Sequence, residues 1–163
     1  MVELLAFEVA GCRYAAPAAL VQEVTRAVAI AALPKAPPII EGVINVRGAV
    51  VPVLDIRQRC GLPATSVTPD QHFLLAKVGN RLVALRVDRA LELVGVAEGA
   101  IESAAGVAPG AEYVAGIAKL PDGLLVIHDL ERFLSLDESQ QLDTVLAQAE
   151  RADATPSSRS SRC

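Results

Sequence analysis

The side chains that most often carry chemistry in proteins are few in this sequence and lie far apart. The 163 residues contain only two histidines and three cysteines, namely His72, His128, Cys12, Cys60 and Cys163. Neither histidine has Cys, Asp or Glu at metal-ligand spacing, and no cysteines form a C-x-x-C pair. Glycine-rich phosphate loops, nucleophile elbows and zinc-protease motifs do not occur either. The sequence therefore predicts no catalytic residue, no metal site and no cofactor.

One residue is well suited to recognition rather than catalysis. Arg47 falls at the tip of a predicted hairpin, where its guanidinium can donate directional hydrogen bonds to a partner's carboxylate or carbonyl oxygens. A structural interpretation is also open, in which Arg47 pins the turn or joins two parts of the fold.

The overall charge and composition exclude several partner classes. The formal net charge is -4, and aromatic residues make up only 3% of the chain. A basic footprint and stacking aromatics are what nucleic-acid binding needs, so that function is disfavoured.

No apolar run approaches the ~20 residues that span a bilayer, and the start lacks a basic signal region. We expect a cytoplasmic protein without direct membrane insertion.

The elements that would position Arg47 are short strands joined by tight turns. Apolar runs flank turn signals at Ala10–Arg13, Arg47–Gly48, Gly79–Arg81 and Pro121–Gly123. This pattern predicts a series of β-hairpins and a mainly β fold. Asp55 and Asp129, each placed after a hairpin, are expected to cap short helical turns rather than to act chemically.

Two segments have helical spacing instead. Pro17 is followed by Leu20, Val21 and Val24, which predicts a short amphipathic helix near the start. Ser135 and Glu138 form a capping box, and a single apolar face follows at Leu142, Val145, Leu146 and Ala149. We therefore predict a body over residues 1–136, a helix over 137–150 and a disordered Ser/Arg tail over 151–163.

The body contains an internal repeat. At an offset of 74 residues, Gly42 aligns with Gly116 and Asp55 with Asp129, and strand, turn and strand coincide between them. A weaker similarity at an offset of 68 relates Gly11 to Gly79. The repeat predicts two β-units of about five strands each, and short strands at this spacing favour small barrels.

A known family shares the most distinctive segment. Residues 33–57 read LPKAPPIIEGVINVRGAVVPVLDIR. This segment resembles the signature of the CheW family of bacterial chemosensory coupling proteins: a Pro-rich entry, then G-V-I-N-x-R-G and V-P-V-x-D-L-R. Val46 and Ile56 replace the more usual Leu. The resemblance extends over roughly residues 3 to 135.

The resemblance implies both a fold and a function. It implies two SH3-like five-stranded β-barrels packed on a shared apolar core, with short helices and a C-terminal helix. It also implies a non-catalytic adaptor that couples methyl-accepting chemoreceptors to a CheA-type histidine kinase. The partners would be the kinase's regulatory domain and the receptors' cytoplasmic tip, in arrays under the inner membrane.

The resemblance further implies where partners bind. It points to Arg47 with its motif neighbours Asn45 and Gly48, and to the segment containing Val21, Glu23 and Val24. The alternative is that Val21 and Val24 are ordinary core residues of a short helix. Two other functions remain open: a divergent receptor-binding protein that does not bind the kinase, and a small-barrel module that binds nucleic acid or a ligand.

Overall fold

The computed structural model describes residues 1–103 and 113–153, and the chain in these ranges is built mainly of β-strands. Eleven strands occur in this part of the chain: β1 (Val2–Val9), β2 (Cys12–Pro17), β3 (Val21–Arg26), β4 (Ile40–Val46), β5 (Ala49–Leu54), β6 (His72–Val78), β7 (Arg81–Val87), β8 (Arg89–Val96), β9 (Ile101–Ser103), β10 (Val114–Leu120) and β11 (Gly123–His128). Two α-helices accompany them, α1 (Ile56–Arg59) and α2 (Leu136–Asp153). Single 3₁₀ turns occupy Ala18–Leu20, Glu98–Ala100 and Leu130–Arg132.

The strands form two sheets with the same plan. One sheet has the order β3-β6-β7-β5-β4, and the other has the order β8-β1-β2-β11-β10-β9. We call the first the central subdomain and the second the flanking subdomain, because its strands come from both sides of the first in sequence. The predicted fold of two SH3-like units is confirmed. The flanking sheet differs from the predicted five strands by the short extra strand β9.

The pairing of strands establishes the repeat residue by residue. In both subdomains a parallel pairing joins the two hairpins, between β5 and β7 at Val53 with Ala84 and between β11 and β2 at Ile127 with Ala15. The hairpins β4-β5 and β10-β11 are related by the predicted offset of 74. The hairpins β1-β2 and β6-β7, and the edge strands β3 and β8, are instead related by an offset of 69. The predicted offset of 68 is therefore wrong by one residue, a slip that exchanges the two faces of a strand.

Apolar packing is divided into one large and two small clusters. Each subdomain has a small cluster of its own, around Phe73 and Val53 in the central one and around Leu4 and Ile127 in the flanking one. The large cluster contains side chains from both subdomains and from α2, including Phe7, Leu54, Leu85, Phe133 and Leu142. Neither subdomain buries its apolar surface alone, so the shared core holds them together.

The helix α2 begins at the predicted capping box. The backbone N–H of Ser135 donates to Glu138 Oε1 (2.9 Å), and the N–H of Glu138 donates to Ser135 Oγ (3.1 Å). Leu142 and Val145 pack into the shared core. The helix continues to Asp153, so the tail predicted over 151–163 begins too early, and its residues 154–163 lie outside the described residues. Among residues 1–103 and 113–153 no helix is long and apolar enough to cross a membrane.

The helix predicted after Pro17 is wrong. Only Ala18–Leu20 form a single 3₁₀ turn, and Val21–Arg26 form the edge strand β3, which pairs with β6. Tertiary pairing with β6 overrides a helix-like apolar spacing, and β-branched residues such as Val21 and Thr25 suit a strand. As a consequence, Val24 is exposed rather than a core residue.

Candidate partner-binding groove

The turn that carries Arg47 is a strained two-residue hairpin loop. Val46 pairs with Ala49, so Arg47 and Gly48 alone make the connection, and both have positive φ (51° and 90°). A type I′ turn needs this conformation at both positions, and Asn or Gly usually supplies it. Asn45 stabilises the turn, because its Oδ1 accepts a hydrogen bond from the Gly48 N–H (2.9 Å). Ala10 has the same left-handed conformation (φ 54°) in the turn between β1 and β2, so a residue other than Asn or Gly at this turn position is a shared feature of two hairpins.

A bidentate ion pair joins Arg47 to Glu23 on the edge strand β3. The Arg47 guanidinium donates to Glu23 Oε1 at 2.6 Å and to Glu23 Oε2 at 3.3 Å. This hydrogen bonding lowers the pKa of Glu23 and raises the pKa of Arg47. Both groups face solvent, so the pair adds little to folding stability. Its effect is to fix a planar, directional donor group on the surface.

The residues beside this ion pair form an apolar groove. It has a volume of about 260 Å³ and is lined by Leu5, Ala18, Val21, Gln22, Glu23, Val24 and Leu93. The strand β3 has an irregular register between Val21 and Glu23, and β8 has the matching irregularity where it pairs with β1. These bulges lie in equivalent edge strands of the two subdomains, and both strands contribute to the groove.

The structure brings together most of the residues that the sequence singled out. Val21, Glu23 and Val24 line the groove, and Arg47 reaches it through Glu23. Asn45 and Gly48 do not line it; they shape the turn that presents Arg47. An exposed aliphatic groove with a polar rim is suited to a transient protein interface.

Sequence reasoning missed the contribution of the flanking subdomain. Leu93 lines the groove with 61% of its surface exposed, and it is the repeat equivalent of Val24. Leu5, its cross-strand neighbour, forms the floor. The resemblance of Glu23-Val24 to Glu92-Leu93 was the available signal, but only the fold shows that the two copies meet at one groove.

A polar cluster fixes the two subdomains where the chain passes between them. Asp88 accepts hydrogen bonds from both the Arg57 guanidinium (3.0 and 3.1 Å) and the Ala10 N–H (2.8 Å). Burial acts to raise the pKa of Asp88, but the bonds from Ala10 and Arg57 lower it overall. Ala10 belongs to the flanking subdomain, and Arg57 belongs to α1, which follows β5 of the central subdomain. Asp88 therefore links the two subdomains.

A buried ion pair lies within the central subdomain. Arg86 is 5% exposed and donates to Glu41 (2.9 Å) and to the carbonyl of Thr65 (2.8 Å). It also donates to Gln71 Oε1 (3.0 Å), so that it anchors the long connection between α1 and β6. Burial raises the pKa of Glu41 despite the bond from Arg86.

The histidines and cysteines in the described ranges do not form a cluster with the geometry of a metal site. In the described ranges, no group of three or more His, Cys, Asp and Glu side chains is placed to hold a metal ion. His128 is buried against the rings of Phe7, Tyr14 and Phe133. Burial raises the pKa of the Cys60 thiol, which disfavours the reactive thiolate.

Comparison with known proteins gives a consistent result. The family model described as "CheW-like domain" matches residues 3–138. The chain is 32% identical over 140 residues to the chemotaxis protein CheW of Bacillus subtilis, covering 85% of this chain and 90% of that one. It is 27% identical over 145 residues to the chemotaxis protein CheW of Klebsiella aerogenes, covering 88% and 87%. A crystal structure of the scaffolding protein TtCheW from Thermoanaerobacter tengcongensis superposes with a TM-score of 0.77 at 28% identity, covering 84% of this chain and 94% of that one.

Proposed function

The chain belongs to the CheW family of non-catalytic chemotaxis scaffold proteins, and from this we propose that it couples chemoreceptors to a CheA-type histidine kinase. One surface binds the regulatory domain of the kinase, and the groove binds the cytoplasmic tip of a methyl-accepting chemoreceptor. Receptor state then reaches the kinase as a shift in the kinase's conformational equilibrium. The protein acts in arrays beneath the inner membrane.

The observation that carries the proposal is the pairing of Arg47 with Glu23 beside the groove. The family motif supplies the arginine, and its ion-pair partner Glu23 lines the groove together with Val21 and Val24. Aliphatic side chains give such a groove its affinity, and the Arg–Glu pair gives orientation to the bound segment. Val24 and Leu93 are the exposed aliphatic side chains of its lining, as expected of a low-profile docking surface rather than a deep substrate pocket.

Arg47→Glu tests this function directly. The substitution places two carboxylates side by side at the groove, and we expect assembly with receptor and kinase to fall at least tenfold while the fold is unchanged. The measurement is co-sedimentation with receptor-containing membranes, with and without the kinase, together with receptor-stimulated kinase activity.

The chain offers a matched control for that substitution. Arg89 forms an ion pair with Glu8 at 3.0 Å, with side-chain exposures of 63% and 32% against 73% and 37% for Arg47 and Glu23. Arg89→Glu makes the same charge change away from the groove and is expected to leave coupling intact. Normal coupling by the Arg47→Glu protein would refute the proposed site. If the unsubstituted protein binds receptor membranes but does not recruit the kinase to them, the alternative function, a divergent receptor-binding protein, would be favoured instead.

A further inference from the structure

Two cysteines lie on opposite sides of the boundary between the subdomains. Cys12 begins β2 of the flanking subdomain and is exposed, whereas Cys60 ends α1 of the central subdomain and is half-buried. Both are free thiols, and neither lines the groove. A bond between them would therefore connect one subdomain to the other.

Hydrogen bonds bring together the two chain segments that carry these cysteines. Asp88 accepts a hydrogen bond from the N–H of Ala10 (2.8 Å), two residues before Cys12. It also accepts from the guanidinium of Arg57 (3.0 and 3.1 Å), three residues before Cys60. Arg57 and Cys60 are one helical turn apart, and residues at that spacing lie side by side on a helix. The end of α1 therefore lies against the turn between β1 and β2.

The side chain of Tyr14 connects the two thiols. Cys12 and Tyr14 are two positions apart on β2, so they point to the same face of the strand, and a hydrogen bond joins their side chains. Tyr14 and Cys60 both pack against the shared core. Burial, together with Cys60 and Cys12, raises the pKa of Tyr14 to about 12. Cys12, Tyr14 and Cys60 therefore form one cluster at the edge of the shared core.

We propose that Cys12 and Cys60 form a reversible disulfide, which locks the two subdomains together when a hydroperoxide oxidises the protein. In the first step the Cys12 thiolate attacks a peroxide oxygen and the O–O bond breaks. Cys12 becomes a sulfenic acid, and the other oxygen leaves with the thiol proton as water or an alcohol. The sulfur of Cys60 then attacks the sulfur of Cys12. The S–S bond forms, the S–O bond breaks, and the hydroxyl group leaves as water with the Cys60 proton. The two sulfurs lose two electrons in total, and the peroxide gains them.

The two thiols are suited to different steps. Cys12 is exposed and accessible to the oxidant, whereas Cys60 is partly covered by the core. Burial raises the pKa of the Cys60 thiol, and Cys12 adds to this increase, so Cys60 is protected from direct oxidation. A dithiol reductant reverses the bond by thiol–disulfide exchange: it becomes a disulfide itself and returns both cysteines as thiols.

The bond would act on the junction that the shared core and Asp88 already hold. A disulfide between residues 12 and 60 closes a long loop, which restricts the unfolded chain and stabilises the folded one. For a chain of this size we expect the Tm to rise by about 5–15 °C on oxidation. The oxidised protein therefore resists separation of the subdomains under conditions that separate them in the reduced protein.

Treatment of the purified full chain with hydrogen peroxide tests the proposal. We expect the intact mass to fall by two hydrogens, and a non-reducing digest to contain one linked peptide pair that joins Cys12 to Cys60. The Tm should rise as stated, and a dithiol should reverse all three changes. Cys12→Ser and Cys60→Ser should each abolish the linkage and the rise in Tm. The matched control is Cys163→Ser, which removes the third cysteine of the chain and should behave as the wild type.

Oxidation of the urea-unfolded chain shows whether the fold directs the pairing. In urea, linkages to Cys163 should compete with the one between Cys12 and Cys60, whereas the native chain should form the latter alone. Three results in the native chain would each overturn the proposal. These are oxidation of Cys12 beyond the sulfenic acid without a cross-link, a linkage to Cys163 or to a second chain, and a linked protein whose Tm is unchanged or lower. None of them bears on the proposed function, which does not depend on the cysteines.

Discussion

The central and flanking subdomains share one strand plan but fill it differently. In the central one, Arg86 and Glu41 form a buried ion pair; the register places Pro17 and Ala115 at the equivalent positions of the flanking one. The difference shows that the plan depends on strand register and turns rather than on particular side chains inside it.

A second exchange lies in the shared core. Leu54 of the central subdomain corresponds to His128 of the flanking one, and both are buried. One subdomain therefore contributes an aliphatic side chain and the other an ionisable ring at the same place. The comparison predicts which substitutions each subdomain tolerates.

The largest expected effect concerns two equivalent glycines. A Cβ on Gly42 would lie 2.2 Å from the carbonyl oxygen of Ala31, whereas a Cβ on Gly116 would lie 2.8 Å from that of Glu102. Gly42 also has a positive φ of 156°, which side chains rarely adopt. We expect Gly42→Ala to lower the free energy of unfolding by about 4–5 kcal/mol and Gly116→Ala by about half as much. Urea denaturation measures both, and equal losses would show that the two glycine positions are equally crowded.

The buried ion pair gives the next effect. Arg86→Leu leaves Glu41 buried without its partner and releases the Thr65 carbonyl, so we expect a loss of about 3–4 kcal/mol. Adding Glu41→Ala, which imitates the flanking subdomain, should restore a large part of that loss. Arg89→Leu, on the surface, should cost less than about 1 kcal/mol. A double variant no more stable than Arg86→Leu alone would show that the anchored connection, not the charge, dominates.

The smallest effect depends on pH. Burial lowers the pKa of His128 to about 4 from 6.5, although the Tyr113 backbone opposes the shift. Below pH 6.5 the unfolded chain binds a proton that the folded chain excludes, so stability falls as the pH drops from 6.5 to about 4. The loss approaches about 3 kcal/mol.

His128→Leu, which copies Leu54, should remove that part of the acid sensitivity. The ring of Tyr14 on β2 lies 4.7 Å from that of His128, centroid to centroid, and Tyr14 stays protonated throughout this range because burial raises its pKa to about 12. Thermal denaturation at pH 7 and pH 4.5 measures the change. His72→Leu is the control, because His72 is only half-buried. An unchanged pH dependence in His128→Leu would assign the acid sensitivity to carboxylates such as Asp88.

Much of this fold could be predicted because its signals are local. The hairpin turns are marked by Gly and Pro, Asp55 and Asp129 cap the following turns, and Ser135 with Glu138 begins α2. Each of these features is decided by residues within a few positions of one another.

The parts that could not be predicted depend on distant partners. The strand β3 has helix-like apolar spacing, and only its pairing with β6 makes it extended. Arg47 and Glu23 were each singled out, but their ion pair joins an edge strand to a remote turn. Leu93 reaches the groove only because the two subdomains pack against each other, which no local pattern specifies.

The interleaved strand order has a consequence for synthesis on the ribosome. The central subdomain is continuous from β3 to β7, whereas in the flanking one Tyr14 on β2 pairs with Val126 on β11. As the chain emerges, the β1-β2 hairpin must wait, with Leu4 and Ala15 uncovered, until the last hairpin brings Leu125 and Ile127 against them. The whole central subdomain has left the ribosome by then, and the β1-β2 hairpin packs against it through the shared core.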